Sequence, residues 1–275
     1  MPLRMLLFLA AVCLTADSIT WAQGLHVVTQ IYDANVGRTD GQPRLLSSSL
    51  SLFHNGRVYD YVENADEVVI YDPTARRFTI LNQSRSLVTT VDFDEIGHLM
   101  GTREPNAEKY ITELQQAGDP DAARTARRLR FQLHPEFESR FDARSQTLQM
   151  LSPSWKYSVS VRPWDDEEQR QRYLTYCDWT ARLNSVLHPS SNFPEPRMAL
   201  NARLREIEGQ MPVVVELDLR PDDDRILRAE HRFQQNLDDT DRRLIRRWDT
   251  AANSGRLKTL SFRRYQEAVL VSVNR

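Results

Sequence analysis

Cys177 is the residue of this sequence with the clearest potential for covalent chemistry. A thiolate nucleophile needs an imidazole within hydrogen-bond reach and an acid to orient it, which His188 or His231 and Asp178 could supply. The flanking residues lack the Gly- or Trp-containing elbow of known protease cysteines. Cys177 also stands at helical spacing from Tyr173, so the sequence favours a buried structural thiol, with a hydrolase as the alternative.

Residues with metal-binding oxygens or imidazoles occur, but their spacing fits no metal site. No two of the six histidines stand three or four residues apart. The acidic runs at 222–224 and 238–241 lack the central Gly and closing Glu of an EF-type calcium loop. We interpret the first run as a hairpin turn and the second as a helix N-terminus, where carboxylates meet the helix dipole. We therefore predict no metal, no cofactor and no catalytic residue.

Clusters of one charge sign are the next candidates. Arginines at 127–130 and 242–247 could meet a phosphate or a lipid headgroup. The second cluster follows the acids at 238–241, so a solvated salt-linked face is the default interpretation. Carboxylates between residues 63 and 95 could form the acid pair of a glycoside hydrolase, if their separation were right. The net charge of −2 argues against a general nucleic-acid binder.

Aromatic and branched apolar residues between positions 58 and 80 are the remaining candidates. Tyr59, Tyr61 and Tyr71 could stack on a ligand, and ordinary cross-strand packing is the alternative. Val58, Ile70, Phe78 and Ile80 would form an apolar concave face next to them. The predicted ligand-binding residues are thus Val58, Tyr59, Tyr61, Ile70, Tyr71, Phe78 and Ile80.

The elements that must position these residues begin with a series of short strands. Alternating apolar and polar residues predict strands at 25–32, 45–54, 57–63, 68–72, 77–81 and 86–91. Asn55-Gly56 stands between two alternating runs, and this pair is the strongest short signal for a hairpin. The turn-length connections predict an antiparallel β-meander.

The rest of the chain mixes helices and strands. Helices are predicted at 105–118, 119–133, 165–187 and 239–253, with another ending at Gly209. Strands are predicted at 136–142, 147–151, 156–161, 212–219, 226–233 and 268–273, with His231 on the apolar face of its strand as a core histidine. The order lacks regular βαβ alternation. It predicts the α+β class: an antiparallel β-meander or half-barrel with helices packed on one face.

The first 22 residues are typical of a secretory signal peptide. Arg4 precedes an apolar run at 6–14 that is too short to span a bilayer, and the small-residue site at 20–22 follows. Lipidation at Cys13 is the alternative, although Val12 stands where a small residue is expected. Residues 23–275 then form a single α+β domain, with a subdivision near 162–168 left open. Removal of residues 1–22 leaves only Cys177, so no intramolecular disulfide forms.

The segment from Leu50 to Val91, and within it Val69-Ile70-Tyr71-Asp72-Pro73 followed by a strand at 77–81, resembles the outer-membrane lipoprotein carrier (LolA/LolB-like) superfamily. The resemblance covers a few dozen residues and a weakly specific turn, and the chain from Glu168 onward has no counterpart. It implies an open half-barrel whose concave side, covered by helices, holds acyl chains or the lipid of a partner. It implies no catalytic residue.

Together these observations predict an exported, non-enzymatic binding or carrier protein of the periplasm or the extracellular space. Its ligand would be a lipid or a lipidated partner held on a curved antiparallel sheet. A structural or interaction module of the cell envelope, docking through the same sheet, is the alternative. The hydrolase with a dispersed acidic site or Cys177 ranks third.

Overall fold

The structure is a computed structural model that describes residues 24–35, 43–188, 191–220 and 224–270. The predicted signal peptide at 1–22 lies outside the described residues. So do Asp222 and Asp223 of the first acidic run and residues 271–273 of the predicted last strand. No helix in the described ranges is long and apolar enough to cross a membrane.

Within the described ranges, twelve strands and six α-helices alternate irregularly along the chain. The strands are β1 Leu25–Asp33, β2 Arg44–His54, β3 Arg57–Val62, β4 Glu67–Asp72, β5 Arg77–Asn82, β6 Leu87–Asp92, β7 Glu138–Asp142, β8 Thr147–Leu151, β9 Lys156–Pro163, β10 Gln210–Asp218, β11 Ile226–Gln235 and β12 Lys258–Thr259. The helices are α1 Phe93–Gln116, α2 Pro120–Leu133, α3 Glu167–Leu187, α4 Glu195–Arg205, α5 Asp239–Asn253 and α6 Phe262–Leu270.

The strands form one curved, unclosed sheet in the order β12-β6-β5-β4-β3-β2-β1-β11-β10-β9-β8-β7. Every neighbouring pair is antiparallel except β12 with β6. The predicted α+β class and the antiparallel meander of β2 to β6 are confirmed. Strands from both sides of residues 162–168 lie in this one sheet, because β9 pairs with β10.

The hairpin between β2 and β3 turns at Asn55 and Gly56, as predicted. Their φ angles are 48° and 76°, values that Asn and Gly tolerate better than other residues. The turn fixes the register, so that Phe53 pairs with Val58. These two residues therefore lie side by side on the same face of the sheet.

Two predicted elements were wrong in their bounds or type. Helix α1 begins at Phe93, directly after β6, and Pro105 lies inside it rather than at its start. Pro105 has no N–H, so the α-helical bond to the Gly101 carbonyl is not made. Ala268 lies in helix α6 and not in a strand, because Phe262, Tyr265 and Val269 recur at helical spacing and pack on the core.

The meander carries helices on both of its faces. The inner face of the sheet includes Phe53, Val58, Tyr71 and Phe78, and it packs against helices α1, α3, α4 and α6. The opposite face, called here the α5 face, packs against Ile245 and Trp248 of α5. Its buried strand residues are Leu52, Tyr59, Val68, Ile70, Leu81 and Val88. The central strands are therefore buried on both sides.

Candidate functional site

The sheet register divides the predicted ligand-binding residues into two groups. Val58 pairs with Tyr71 and Tyr71 with Phe78, so these three lie on the inner face together with Ile80. Tyr59, Tyr61 and Ile70 lie on the α5 face. The grouping of Ile70 with Val58, Phe78 and Ile80 was wrong, and Tyr71 does not lie beside Tyr59 and Tyr61. The reason is the period of two, which sends neighbouring residues to opposite faces.

On the α5 face, the tyrosines make well-matched contacts. The rings of Tyr59 and Tyr61 stack on Trp248, with centroids 6.4 and 5.9 Å away. The Tyr59 hydroxyl donates to both oxygens of Asp249 at 3.1 Å, and that of Tyr61 donates to Asp66 at 3.3 Å. Burial and the charge of Asp249 raise the pKa of Tyr59 to about 12. This arrangement is that of core packing.

A cavity of about 280 Å³ opens on the inner face between the β2–β3 hairpin and helix α3. We call it the hairpin cavity. Its floor is formed by Phe53, Val58 and Tyr71, which are all buried. Phe53 is held by an edge-on contact with the Tyr176 ring at 5.5 Å. The floor is therefore apolar and fixed by the packing of the core.

Helix α3 supplies the other wall of the hairpin cavity. Glu168, Gln171, Arg172 and Thr175 line it, and their spacing places them on one face of the helix. The ion pair between Arg172 and Glu168 is long, at 3.9 Å, and both side chains reach solvent. An apolar floor thus faces a polar, partly hydrated wall, which suits an amphiphilic ligand.

A second cavity, of about 340 Å³, lies between helices α1, α3 and α4, and we call it the helix cavity. Gly97 and Gly101 of α1 line it, and a Cβ atom at either position would meet nothing within 4 Å. Glycine inside a helix costs about 1 kcal/mol relative to alanine. Helix α1 therefore contributes no side chains at these two positions of the cavity wall.

Four charged side chains line the helix cavity: Arg103, Glu104, Arg182 and Glu195. Arg103 donates to the carbonyls of Ser185 and Ser191, the second at 3.3 Å. Arg182 lies 4.9 Å from the centre of the Trp179 ring, and no described residue accepts a hydrogen bond from it. Its positive charge partly offsets the effect of burial on the pKa of Glu195, so the two side chains act on each other across the cavity.

Glu195 is the other incompletely matched group of the helix cavity. Its Oε2 atom is buried and has no hydrogen-bond partner in the described part of the chain. Burial raises the pKa of its carboxyl group. A buried oxygen without a donor costs free energy, which a ligand with a suitable donor would recover.

An aromatic stack separates the two cavities. Tyr71 lines the hairpin cavity, and its ring lies 5.7 Å from Phe93 at an interplanar angle of 16°. Phe93 in turn stacks on Trp179 at 3.7 Å, and both line the helix cavity. Phe93, Trp179, Arg182 and Glu195 were not predicted as site residues. The α3 spacing of Arg172, Thr175, Trp179 and Arg182 is the signal that could have found Trp179 and Arg182, whereas Phe93 and Glu195 lie on other helices.

The residues of the predicted thiol site do not form a nucleophilic arrangement. Burial raises the pKa of Cys177, which therefore stays a neutral thiol. Asp178 accepts hydrogen bonds from Asn201 at 2.7 Å and Arg205 at 2.6 Å, so it orients no imidazole. His231 bonds to Thr29 at 2.9 Å, and burial with the nearby Arg197 lowers its pKa to about 3. His188 ends helix α3.

Buried carboxyl groups elsewhere are matched by hydroxyl donors. Ser51 donates to Asp60 at 2.7 Å, and Tyr265 donates to Glu67. Burial raises the pKa of both acids. The run at 238–241 is confirmed as a helix N-terminus, since Asp238 and Asp241 form a capping box. Among the described residues no three His, Cys, Asp or Glu come together as a metal site.

Comparison with known proteins places the chain in no family. No protein-family model matches it, and no curated protein matches it. The class that the structure itself defines is an α+β protein with an open, curved antiparallel sheet and two adjoining cavities along helix α3.

Proposed function

We propose that this protein is a non-enzymatic binding or carrier protein located outside the cytoplasm. Its ligand is an acyl chain, either free or attached to a partner, held in the hairpin cavity. The observation that carries the proposal is the buried apolar floor of that cavity, formed by Phe53, Val58 and Tyr71. Water in such a place finds few polar partners, so an apolar group displaces it favourably.

The size of the cavity limits what can enter. Sites for drug-sized ligands measure about 300–1,000 Å³, and the hairpin cavity, at about 280 Å³, lies just below that range. A single chain or the end of a chain fits it better than a multi-ring ligand. Each buried methylene group contributes about 0.8 kcal/mol to binding.

The resemblance to the outer-membrane lipoprotein carriers supports the same proposal. Those proteins hold acyl chains between a curved antiparallel sheet and the helices that cover it. In this chain, two residues of the Val69–Pro73 motif within the segment that carries the resemblance, Tyr71 and Pro73, line the hairpin cavity. The inner face and helix α3 would then take the place of the concave sheet and its covering helix.

The proposal is tested by native mass spectrometry with lipid extraction on the mature protein, followed by titration with a fatty acid. Thr175 is exposed at the wall of the hairpin cavity, so Thr175→Trp should fill the cavity without disturbing the core. Asn184→Trp, at another exposed position of the same helix, is the matched control.

We expect a bound acyl ligand in the unmodified protein and in Asn184→Trp, and a loss of at least about tenfold in affinity in Thr175→Trp. A ligand-free spectrum together with no binding of the fatty acid would overturn the proposal. Equal affinity of the two tryptophan variants would overturn the assignment to the hairpin cavity.

A further inference from the structure

We propose that the ligand is a single-chain amphiphile with a zwitterionic headgroup, lying along helix α3 with its chain in the hairpin cavity and its headgroup in the helix cavity. This inference rests on the proposed function of the hairpin cavity. It adds the chemistry of the headgroup and the direction in which the ligand lies.

One face of helix α3 connects the two cavities. Arg172 and Thr175 line the hairpin cavity, and Trp179 and Arg182 line the helix cavity. Spacings of three and four residues place all four on one side of the helix. From Arg172 to Arg182 the helix rises about 15 Å at 1.5 Å per residue. An extended chain of that length is needed to join the cavities.

The aromatic stack of Tyr71, Phe93 and Trp179 does not close this path completely. Thr175 stands between Arg172 and Trp179 on the helix and is exposed, and Trp179 itself is partly exposed. A chain can therefore pass on the solvent side of the stack. Tyr71 and Phe93 are buried, so the partly exposed Trp179 is the ring of the stack that offers it apolar contact between the two cavities.

The headgroup chemistry follows from two charged groups of the helix cavity, Arg182 and Glu195, whose hydrogen bonding among the described residues is incomplete and whose charges act on each other. Arg182 has five N–H donors, and none is bonded to a described residue. Glu195 has a buried oxygen that no described group donates to. An anion would pair with the first, and a hydrogen-bond donor would satisfy the second. A headgroup that carries both charges answers both requirements, whereas a purely anionic one would face Glu195 and Glu104.

Helix α1 leaves room for this headgroup and offers one further acceptor. Gly97 and Gly101 present no side chains to the helix cavity. Because Pro105 cannot donate to the Gly101 carbonyl, that oxygen lacks its usual α-helical donor and would accept from an ammonium group that reached it. Arg103 is already bonded to Ser185 and Ser191, so it shapes the cavity and is not the anion-binding group.

The test uses amphiphiles with one common acyl or alkyl chain and different headgroups, titrated calorimetrically below their micelle concentrations. Lysophosphatidylethanolamine is zwitterionic, lysophosphatidylglycerol is anionic, an alkyltrimethylammonium is cationic and an alkyl alcohol is uncharged. We expect the zwitterionic probe to bind at least about tenfold more tightly than any other. Arg182→Gln and Glu195→Gln should each remove that preference and leave the affinity for the alcohol unchanged. Arg263→Gln, at an exposed position of α6, is the control.

The outcomes separate this inference from the proposed function. If all four probes bind with the same affinity and Thr175→Trp weakens them all, the headgroup inference is wrong and the binding function stands. If the anionic probe binds as tightly as the zwitterionic one, the inference of a zwitterionic headgroup is wrong. If no probe binds to the unmodified protein, both proposals are overturned.

Discussion

The two sides of the meander differ in how completely their polar groups are matched. On the α5 face, the hydroxyls of Tyr59 and Tyr61 donate to carboxylates, and both rings stack on Trp248. On the inner side, neither the Arg182 side chain nor the buried Oε2 atom of Glu195 has a hydrogen-bond partner among the described residues. The inner side also contains both cavities.

This difference shows that residue type alone does not distinguish a core from a binding site. Aromatic residues lie on both sides, and their roles depend on what surrounds them. Buried polar groups in proteins are generally hydrogen-bonded, so the exceptions require an explanation. The polar groups named on the α5 side have partners within the protein, whereas the proposed ligand would supply the partners that the inner side lacks among the described residues.

The largest expected effect is that of Trp248→Ala on the α5 side. Trp248 is buried beneath two stacked tyrosines, so its removal leaves a large void. We expect the free energy of unfolding to fall by about 3–5 kcal/mol, measured by urea denaturation. The affinity for an acyl ligand should stay unchanged in the folded protein. A large loss of ligand affinity under conditions where the variant is fully folded would contradict this difference between the two sides.

Trp179→Ala should have the opposite profile. Trp179 is partly exposed and stacks on Phe93 beside the helix cavity. We expect a stability loss of about 1–2 kcal/mol and a loss of at least about tenfold in ligand affinity, measured by titration calorimetry. Unchanged affinity would show that the stack is core on this side as well.

His231 on the inner face should make stability depend on pH. Its pKa is lowered to about 3 from the usual 6.5, because burial and Arg197 disfavour its charged form. The unfolded chain therefore binds a proton first, and the stability that the neutral ring contributes above pH 6.5 is lost as pH falls towards 3. Asp60 and Glu67, whose pKa values are raised, act in the opposite direction.

The contribution of His231 is isolated by comparing the unmodified protein with His231→Phe between pH 7 and pH 4. We expect the melting temperature of the variant to fall less steeply, by at least about 2–4 °C over this range. Parallel pH profiles of the two proteins would contradict the assignment of the pH dependence to His231.

The smallest expected effect is the difference in stability between two tyrosine substitutions on opposite faces of the sheet. Tyr59→Phe leaves Asp249 without its donor and should cost about 1 kcal/mol. Tyr71→Phe should be nearly neutral, since the Tyr71 hydroxyl bonds to no residue in the described ranges. Chemical denaturation of both variants gives the difference. An equal loss of stability in the two variants would mean that the tyrosine hydroxyl groups on both faces are equally well hydrogen-bonded.

Much of the secondary structure could be predicted from local sequence. Asn55-Gly56 forms the turn of the predicted hairpin, and Asp166, at the start of the helix predicted over 165–187, caps α3 by accepting from the Gln169 amide. Pro105 misled the prediction, since a proline is favoured at the first helical position but is also tolerated inside a helix at some cost. The N-cap residue of α1 is Asp92, and its side chain makes no capping hydrogen bond.

The faces of the central strands could not be predicted with the same certainty. All six residues of β4 are buried, because helices cover both sides of the meander. Alternation of apolar and polar residues identifies the core only when one face meets water. Ile70 and Tyr71 were therefore each grouped with residues of the opposite face. The position of α5 on the other side of the sheet from the remaining helices depends on contacts between residues that are distant in sequence.

The position of β1 has a consequence for how the chain acquires its structure. The first strand lies in the middle of the sheet, and Thr29 bonds to His231, 202 positions later. Strands β2 to β6 pair with sequence neighbours and can form early, but β1 gains its second neighbour only after β11 has been synthesised. Such distant pairing slows folding. A chain that ended before residue 226 would leave β1 and β10 with open edges, which invite association between molecules.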